Sequence, residues 1–243
     1  MSQSDAGRQT LELLGCYDSF MESIDTVCDM GCGNGEDLEW WATREVEDDD
    51  GAGIPLNIKC TGVDVQDKMG SIKQLKNVVY QNSNFENIDC SSKYDVIWCN
   101  NSFQYALDPL ETLKSWRQSL TDGGMLAMVI PVNTECTVRK SVVVQHEHTL
   151  FQYTTVSMLH MLALCGFEIP FMRKDPGESH LHVIAYKSSH NPFDPRTTRM
   201  YDLLDKGLLP ESAEDCIERY GYLRQDQLVL EWLDRSMHWF GED

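Results

Sequence analysis

Five short apolar segments recur along the first half of the chain, and each has the composition of a buried β-strand. They span residues 27–30, 58–65, 78–81, 94–99 and 125–130. Amphipathic segments separate most of them, with apolar side chains three or four positions apart, as in a helix. This spacing predicts helices over residues 8–25, 35–43, 69–76 and 109–120. Strands that alternate with helices indicate a doubly wound, mostly parallel sheet in an α/β fold.

The pattern changes in the second half of the chain. A helix is predicted over residues 154–165, and two strands, 168–173 and 180–187, flank an Asp-Pro-Gly turn. These strands are expected to end the sheet as a terminal antiparallel hairpin. Residues 198–240 have the spacing of two or three short helices without strands. We therefore expect a core domain over residues 1–189 and a helical C-terminal extension over residues 190–243, which packs on the core or forms a homodimer.

Two further segments interrupt the alternation of strands and helices. Residues 45–53 are acidic and have no apolar face, so a loop is predicted there. Residues 122–124 read Asp-Gly-Gly, which predicts a turn that leads into the fifth strand.

Charge and composition narrow the range of partners. The 243-residue chain has a net charge of −19, which disfavours nucleic acid because phosphate binding depends on Lys and Arg. No apolar run approaches the length of a membrane span, and the N-terminus has no signal-peptide pattern. The nine cysteines include no C-x-x-C pair, so reduced, structural thiols are expected. A cytoplasmic protein that acts on a small or cationic molecule fits these features.

A glycine-rich turn follows the first predicted strand. Asp29 ends that strand, and Gly31, Gly33 and Gly35 alternate with other residues directly after it. Glycine has no Cβ, so a ligand can approach the backbone of such a turn closely. A dinucleotide-binding loop would have its third glycine at position 36, which is Glu36 here. The spacing favours a ligand with an amino-acid end instead of a pyrophosphate.

Five motifs in this order resemble those of the class I S-adenosylmethionine-dependent methyltransferases, over residues 26–187. They span residues 29–35, 61–64, 83–86, 94–101 with 108–109, and 120–126. The resemblance implies that S-adenosyl-L-methionine is the cofactor. Asp64 would hold the ribose hydroxyls, and Asn84 would contact the adenine amine where relatives usually have an acid. The implied cofactor-binding residues are Asp29, Gly31, Cys32, Gly33, Gly35, Asp64, Val65, Asn84, Phe85 and Asn100.

The residues of catalysis are less strongly indicated. His146 and His148 follow the fifth strand, in the segment that commonly shapes the acceptor pocket of the family. Either imidazole could act as a general base, and Tyr105 is a third candidate at a position where relatives often have a histidine. Two histidines at i and i+2 on a strand could also ligate a metal, but the sequence offers no evident third ligand, so no metal is expected.

These features favour methyl transfer to an oxygen or nitrogen of a small-molecule acceptor. Two alternatives remain open at this point. One is methylation of a protein side chain. The other is a non-catalytic regulatory or partner subunit that binds S-adenosylmethionine without turnover, which the absence of a clear base motivates.

Overall fold

Seven strands share one sheet in the computed structural model, which describes residues 5–47, 51–66, 68, 70–86, 88, 91, 93–131, 150–173 and 180–223. Across the sheet these strands are β5 (Val78–Asn82), β4 (Lys59–Asp64), β1 (Thr26–Met30), β6 (Tyr94–Asn100), β7 (Leu120–Pro131), β9 (His180–Lys187) and β8 (Phe167–Arg173). Neighbours from β5 to β7 pair in parallel, whereas β9 runs antiparallel to both β7 and β8. The predicted parallel sheet with a terminal antiparallel hairpin is confirmed.

Helices connect the strands and follow the sheet. They are α1 (Asp5–Leu14), α2 (Asp18–Glu22), α3 (Glu36–Ala42), α4 (Pro109–Ser119), α5 (Thr155–Leu164), α6 (Met200–Leu204) and α7 (Glu211–Tyr220). The side chain of Asp108 caps α4 by accepting from the N–H of Glu111, and Thr154 and Ser157 form a capping box on α5. No helix in the described ranges is both long enough and apolar enough to span a bilayer.

The prediction of one helix over residues 8–25 is wrong. The helix ends at Leu14, and α2 begins at Asp18. Gly15 lies between them, where a Cβ would stand only 2.9 Å from Nη2 of Arg44 and 3.0 Å from the ring of Trp40. A side chain at this position would have to displace the Arg44 guanidinium and the edge of the Trp40 ring.

Three other local predictions need correction. The predicted loop over residues 45–53 contains a strand, β2 (Glu45–Glu47), which pairs antiparallel with β3 (Gly53–Pro55). In β2 the side chains alternate between exposed and buried, and Val46 is the buried one. The predicted helix over residues 69–76 is a 3₁₀ turn, Gly70–Gln74. The predicted turn at 122–124 lies within β7, where the pairing with β6 shifts register between Tyr94 and Val96.

Apolar side chains fill both faces of the sheet. Along β6, Val96 and Trp98 belong to one buried cluster, and Ile97 and Cys99 belong to the other. This division follows from the alternation of side chains along a strand. Helices α1 and α3 pack on the first face, whereas α4 and α5 cover the second. The inner strands β1, β6 and β7 contain runs of consecutive buried positions because both faces of the sheet are covered there.

The described part of the C-terminal extension packs on the second face. Leu203 of α6 and Ile217 of α7 belong to the same cluster as the side chains of α5. Arg117 of α4 fastens the connection by donating to the carbonyl oxygens of Gly166 and Ser188, at 3.2 and 2.8 Å. Residues 224–243 lie outside the described residues. The boundary at residue 189 and a homodimer through the C-terminal helices remain predictions.

We predict that Leu203→Ala destabilises the protein by about 2–5 kcal/mol, because truncation of a fully buried leucine leaves a cavity in the cluster that α6 shares with α5. Urea unfolding measured by circular dichroism gives the free energy of unfolding. Tyr201→Ala is the matched control, since Tyr201 lies on the same helix and is exposed. Equal stability of the two variants would show that α6 contributes little to the core.

Candidate active site

Three strand ends and a glycine loop form the candidate site. Strands β1, β4 and β6 are adjacent and parallel, so their carboxyl ends meet at one edge of the sheet, which is where open α/β sheets bind ligands. The loop after β1 holds Gly31, Gly33 and Gly35 at φ angles of 82°, 53° and 84°. Side-chain-bearing residues rarely adopt these angles, so glycine is required at all three positions of the predicted motif.

Gly31 also brings the loop against the end of β6. A Cβ at this position would stand 2.3 Å from Cβ of Ser102, whose hydroxyl donates to the carbonyl oxygen of Met30. The N–H groups of Gly31 and Cys32 donate to the carbonyl oxygen of Val63, at 2.8 and 3.1 Å. The loop is thus held on both neighbouring strands. Burial raises the pKa of the Cys32 thiol, which therefore stays neutral beside the loop.

Asp29 places a carboxylate inside the protein beneath this loop. The residue is 2% exposed, and its Oδ2 atom has no hydrogen-bond partner among the described residues. Burial raises the pKa of this carboxyl well above its ordinary value, and the nearby carboxylates of Asp37 and Asp64 raise it further. A cation placed against Oδ2 would compensate this negative charge.

Asp37 is a site residue that the sequence analysis missed. It lies on α3, and its Oδ2 accepts hydrogen bonds from Nε1 of Trp98 and Nδ2 of Asn100, both at 2.9 Å. Asp37 shares the buried face of α3 with Trp41, four residues later. An acid at helical spacing from apolar positions was a signal in the sequence, although the partners on β6 could not be inferred from it.

Asp64 ends β4 on the other side of the glycine loop. Its Oδ2 accepts from the N–H of Gly33 at 2.9 Å, and its Oδ1 accepts from the N–H of Gln66 at 2.8 Å. Each carboxylate oxygen keeps a further lone pair, as two vicinal hydroxyls would need. Val65 follows with its side chain 61% exposed, an apolar surface beside the carboxylate.

Asn84 and Phe85 are largely engaged within the protein. Oδ1 of Asn84 accepts from the N–H of Glu86 at 3.0 Å, and Nδ2 donates to Oε2 of the same residue at 2.7 Å. The ring of Phe85 packs edge-on against Trp116, with centroids 6.0 Å apart. These contacts account for both side chains structurally, and their proposed contact with the adenine stays a prediction.

Helix α1 lies against the end of β6. A Cβ on Gly7 would stand 2.1 Å from Nδ2 of Asn100, so the helix backbone passes directly over this side chain. Thr10 fixes the helix further, because its hydroxyl lies 2.7 Å from Nδ1 of His182 on β9. Asn100 therefore joins three elements: it ends β6, donates to Asp37 and contacts α1.

The predicted catalytic residues are only partly described. Tyr105 lies in the 3₁₀ turn Phe103–Tyr105, and its N–H donates to the carbonyl oxygen of Ser102, the residue that contacts Gly31. Its position next to the loop is compatible with a role in the site. His146 and His148 lie outside the described residues. Within the described part of the chain, no group of three His, Cys, Asp or Glu side chains is placed to hold a metal ion.

Comparison with known proteins identifies the domain. Residues 28–126, which include β1, the glycine loop, β4 and β6, match a family model described as a methyltransferase domain. Over these residues the chain carries a methyltransferase domain, and its fold is that of the class I methyltransferases. Among curated protein sequences, none matches this chain significantly.

Solved structures share the fold of this methyltransferase. One is the 1,6-didemethyltoxoflavin-N1-methyltransferase of Burkholderia thailandensis, with bound 1,6-didemethyltoxoflavin and S-adenosylhomocysteine (15% identity, TM-score 0.59, 76% of this chain and 79% of that chain). Another is a putative S-adenosylmethionine-dependent methyltransferase of Listeria monocytogenes (16%, 0.57, 77% and 100%). A third is the YcgJ protein of Bacillus subtilis (12%, 0.59, 75% and 100%).

The residues present fit S-adenosylmethionine. The cofactor carries two positive groups, an ammonium and a sulfonium, and the site offers a buried carboxylate oxygen without a partner at Asp29. The absent Cβ of Gly31 keeps the loop close to Ser102, and Gly33 has open space where its Cβ would be. A phosphate would fit poorly, because the first turn of α3 contains Glu36, Asp37 and Glu39.

We predict that Asp29→Asn raises the melting temperature of the ligand-free methyltransferase at pH 7. The pKa of Asp29 is higher in the folded state than in the unfolded state, so the folded state binds the proton more tightly. The ionised carboxylate therefore lowers stability at any pH above the folded pKa, and this loss fades as the pH falls toward the unfolded value of about 3.9. The asparagine variant lacks the buried charge and should keep its stability across this range.

The same variant should bind S-adenosylmethionine about tenfold to a hundredfold more weakly, because a charge-assisted hydrogen bond is lost. Thermal melts from pH 4 to pH 8, with and without the cofactor, measure both effects. A variant that melts below the wild type at pH 7, or that binds the cofactor equally well, contradicts the role assigned to this carboxylate.

Proposed function

We propose that this methyltransferase transfers the methyl group of S-adenosylmethionine to an oxygen or nitrogen of a small-molecule acceptor. The observation that carries the proposal is the orphaned, buried oxygen of Asp29, with Asp37 and Asp64 close by, around a loop of three left-handed glycines. When bound, the cofactor would supply an electrophilic methyl group: a lone pair of the acceptor bonds to the methyl carbon as the C–S bond breaks, which leaves a neutral thioether and releases a proton from the acceptor.

Each part of the site has a separate task in this proposal. Asp29 and Asp37 provide the negative potential that holds the ammonium and sulfonium groups of the cofactor. Asp64 binds the ribose, and Val65 offers an apolar surface for the adenine. Asn100 keeps Asp37 in place and positions α1 over the strand ends. A fixed cofactor and a fixed acceptor need little further catalysis, because proximity and orientation supply much of the acceleration.

Two observations support a small acceptor. The net charge of −19 works against a polyanionic substrate such as nucleic acid. The Burkholderia thailandensis enzyme of the same fold acts, by its name, on N1 of a small molecule, 1,6-didemethyltoxoflavin. A protein-methylating enzyme and a non-catalytic subunit remain the alternatives, and turnover separates them from the proposal.

Binding and turnover test the proposal directly. Isothermal titration should show saturable binding of S-adenosylmethionine and S-adenosylhomocysteine at micromolar or tighter affinity, about −8 kcal/mol or better. Incubation of a metabolite extract with an isotope-labelled methyl donor should then label a small molecule. Binding without any labelled product in small-molecule or protein fractions would favour the non-catalytic alternative, and no binding of either ligand would refute the cofactor assignment for this chain.

We predict that Asp64→Ala weakens cofactor binding by about tenfold to a hundredfold, because hydrogen bonds between the carboxylate and the ribose hydroxyls are lost. The fold should persist, since Asp64 lies at a strand end and is only half-buried. Asp25→Ala is the control, because this exposed acid precedes β1 at the opposite end of the strand. Equal affinities in titrations of both variants would show that β4 ends away from the ribose.

A further prediction concerns His146 and His148, which the sequence places between the fifth strand and α5. If one of them is the general base, its replacement by alanine should lower turnover by about 10²–10⁴ and leave cofactor affinity unchanged. The rate should also fall at acidic pH as the imidazole, with an ordinary pKa of about 6.5, becomes protonated. Assays of the two single variants and of Tyr105→Phe from pH 5.5 to 9 decide the question. Wild-type rates in all three would leave proximity as the source of catalysis.

A further inference from the structure

An aromatic group lies between the end of β6 and the start of α5. The rings of Phe103 and Tyr153 are stacked with centroids 5.4 Å apart at an interplanar angle of 30°, and Tyr153 and Phe151 are stacked at 6.4 Å and 29°. We call Phe103, Tyr153 and Phe151 the ring ladder. Phe103 and Tyr153 are buried, whereas Phe151 is 40% exposed. The ladder therefore presents an accessible aromatic ring at its outer end.

The ring ladder is next to the glycine loop. Phe103 directly follows Ser102, whose Cβ would contact a Cβ at Gly31. The hydroxyl of Ser102 lies 3.0 Å from Sγ of Cys99, and the Cys99 thiol is close enough to Tyr153 to affect its ionisation. A backbone hydrogen bond also joins the two ends of the ladder: the N–H of Leu150, next to Phe151, donates to the carbonyl oxygen of Gln104, next to Phe103, at 3.2 Å. An acceptor that contacts the glycine loop would therefore lie beside the ring ladder.

Two buried polar atoms beside the ladder have no hydrogen-bond partner among the described residues. They are Oε1 of Gln104 and the hydroxyl of Tyr153, in side chains that are 5% and 4% exposed. Folded proteins pair nearly all such atoms, so each needs an explanation. Nε2 of Gln104 donates to the carbonyl oxygen of Asn101 at 2.8 Å, which fixes the amide and leaves Oε1 as an acceptor.

The backbone at the start of this segment is itself unusual. Asn101 has a φ of 53°, a left-handed conformation that asparagine adopts more often than most residues other than glycine. Its N–H donates to the carbonyl oxygen of Val129 at 2.8 Å, so the sheet imposes the conformation. Such strained positions persist where a function requires a fixed geometry. Here the fixed residue holds the amide of Gln104.

We propose that the methyl acceptor is a flat aromatic molecule that carries a hydroxyl or amino group, with its ring stacked on Phe151 and its O–H or N–H donated to Oε1 of Gln104. This inference rests on the proposed function and names the substrate class of the same site. Gln104 is then a specificity-determining residue, since it orients the acceptor without exchanging a proton.

The composition of the surroundings favours an aromatic ring over an aliphatic chain or a peptide. Leu150, which directly precedes Phe151 of the ladder, is exposed and supplies an apolar edge. Aromatic pairs prefer the offset stacking that the three rings already show, and a fourth ring would continue it. Burial raises the pKa of Tyr153, so its phenol stays neutral.

Binding of matched probes tests this inference. With the protein saturated with S-adenosylhomocysteine, titrations compare 2-naphthol and 2-naphthylamine with decahydro-2-naphthol, which has a similar size and a hydroxyl but no aromatic ring. We expect the aromatic probes to bind more tightly by about two- to tenfold. Phe151→Leu, which keeps apolar bulk without a ring, should remove this preference. Gln104→Leu should weaken both aromatic probes by about two- to tenfold through the lost hydrogen bond.

Controls separate this inference from the proposed function. Tyr201→Ala removes an exposed aromatic residue on α6 and should bind all probes as the wild type does. Equal binding of 2-naphthol and decahydro-2-naphthol, or unchanged binding in Phe151→Leu and Gln104→Leu, overturns the aromatic acceptor while S-adenosylhomocysteine still binds. Failure of S-adenosylhomocysteine to bind the wild type would instead overturn the proposed function, and this inference with it.

Discussion

The buried carboxylate of Asp29 is the feature around which the site is built. An acid that is almost fully buried beside Asp37 and Asp64 lowers the stability of the ligand-free protein, because burial and like charges both oppose ionisation. The fold keeps this acid in a rigid, apolar strand at the centre of the sheet. A cationic ligand would relieve the unfavourable electrostatics, so in the proposed role of Asp29 cofactor affinity opposes the stability of the ligand-free protein.

The elements around Asp29 hold the binding geometry before the ligand arrives. The glycine loop is fastened to Val63 on β4 and to Ser102 after β6, and Asp64 accepts from the loop itself. Asp37 receives two hydrogen bonds from β6, which leave it buried and oriented. The apolar packing on both faces of the sheet offsets the unfavourable electrostatic free energy of three neighbouring carboxylates. The site therefore requires little rearrangement to bind a cation.

The proposed acceptor side lies at the same strand ends but has different chemistry. Negative charge is concentrated at β1, β4 and α3, whereas the segment after β6 and the residues before α5 are aromatic and neutral. Ser102 marks the boundary, because it contacts Gly31 on one side and precedes Phe103 on the other. This division suits a reaction in which a charged donor meets a neutral acceptor.

The fold class and most of the cofactor loop could be predicted from the sequence, because they depend on local signals. Neighbouring residues are enough to indicate apolar strands, helical spacing and glycine turns with positive φ, as with Gly31, Gly33 and Gly35. Local reasoning failed where a distant contact decides the outcome. The predicted helix over residues 8–25 ends at Leu14, and Gly15 after it lies close to Arg44 and Trp40. The acidic segment from residue 45 pairs with β3 and buries Val46.

The sequence by itself determined that an acid, a glycine turn and a second acid follow parallel strands in the order of the class I methyltransferases. Only the tertiary structure decided which side chains meet. Asp37 is brought to Trp98 and Asn100 across 61 and 63 residues of chain, and Gln104 and Tyr153 keep buried polar atoms free of partners among the described residues. Such pairings depend on strand order and helix packing, which no local pattern specifies, since they bring together residues that are far apart in the chain.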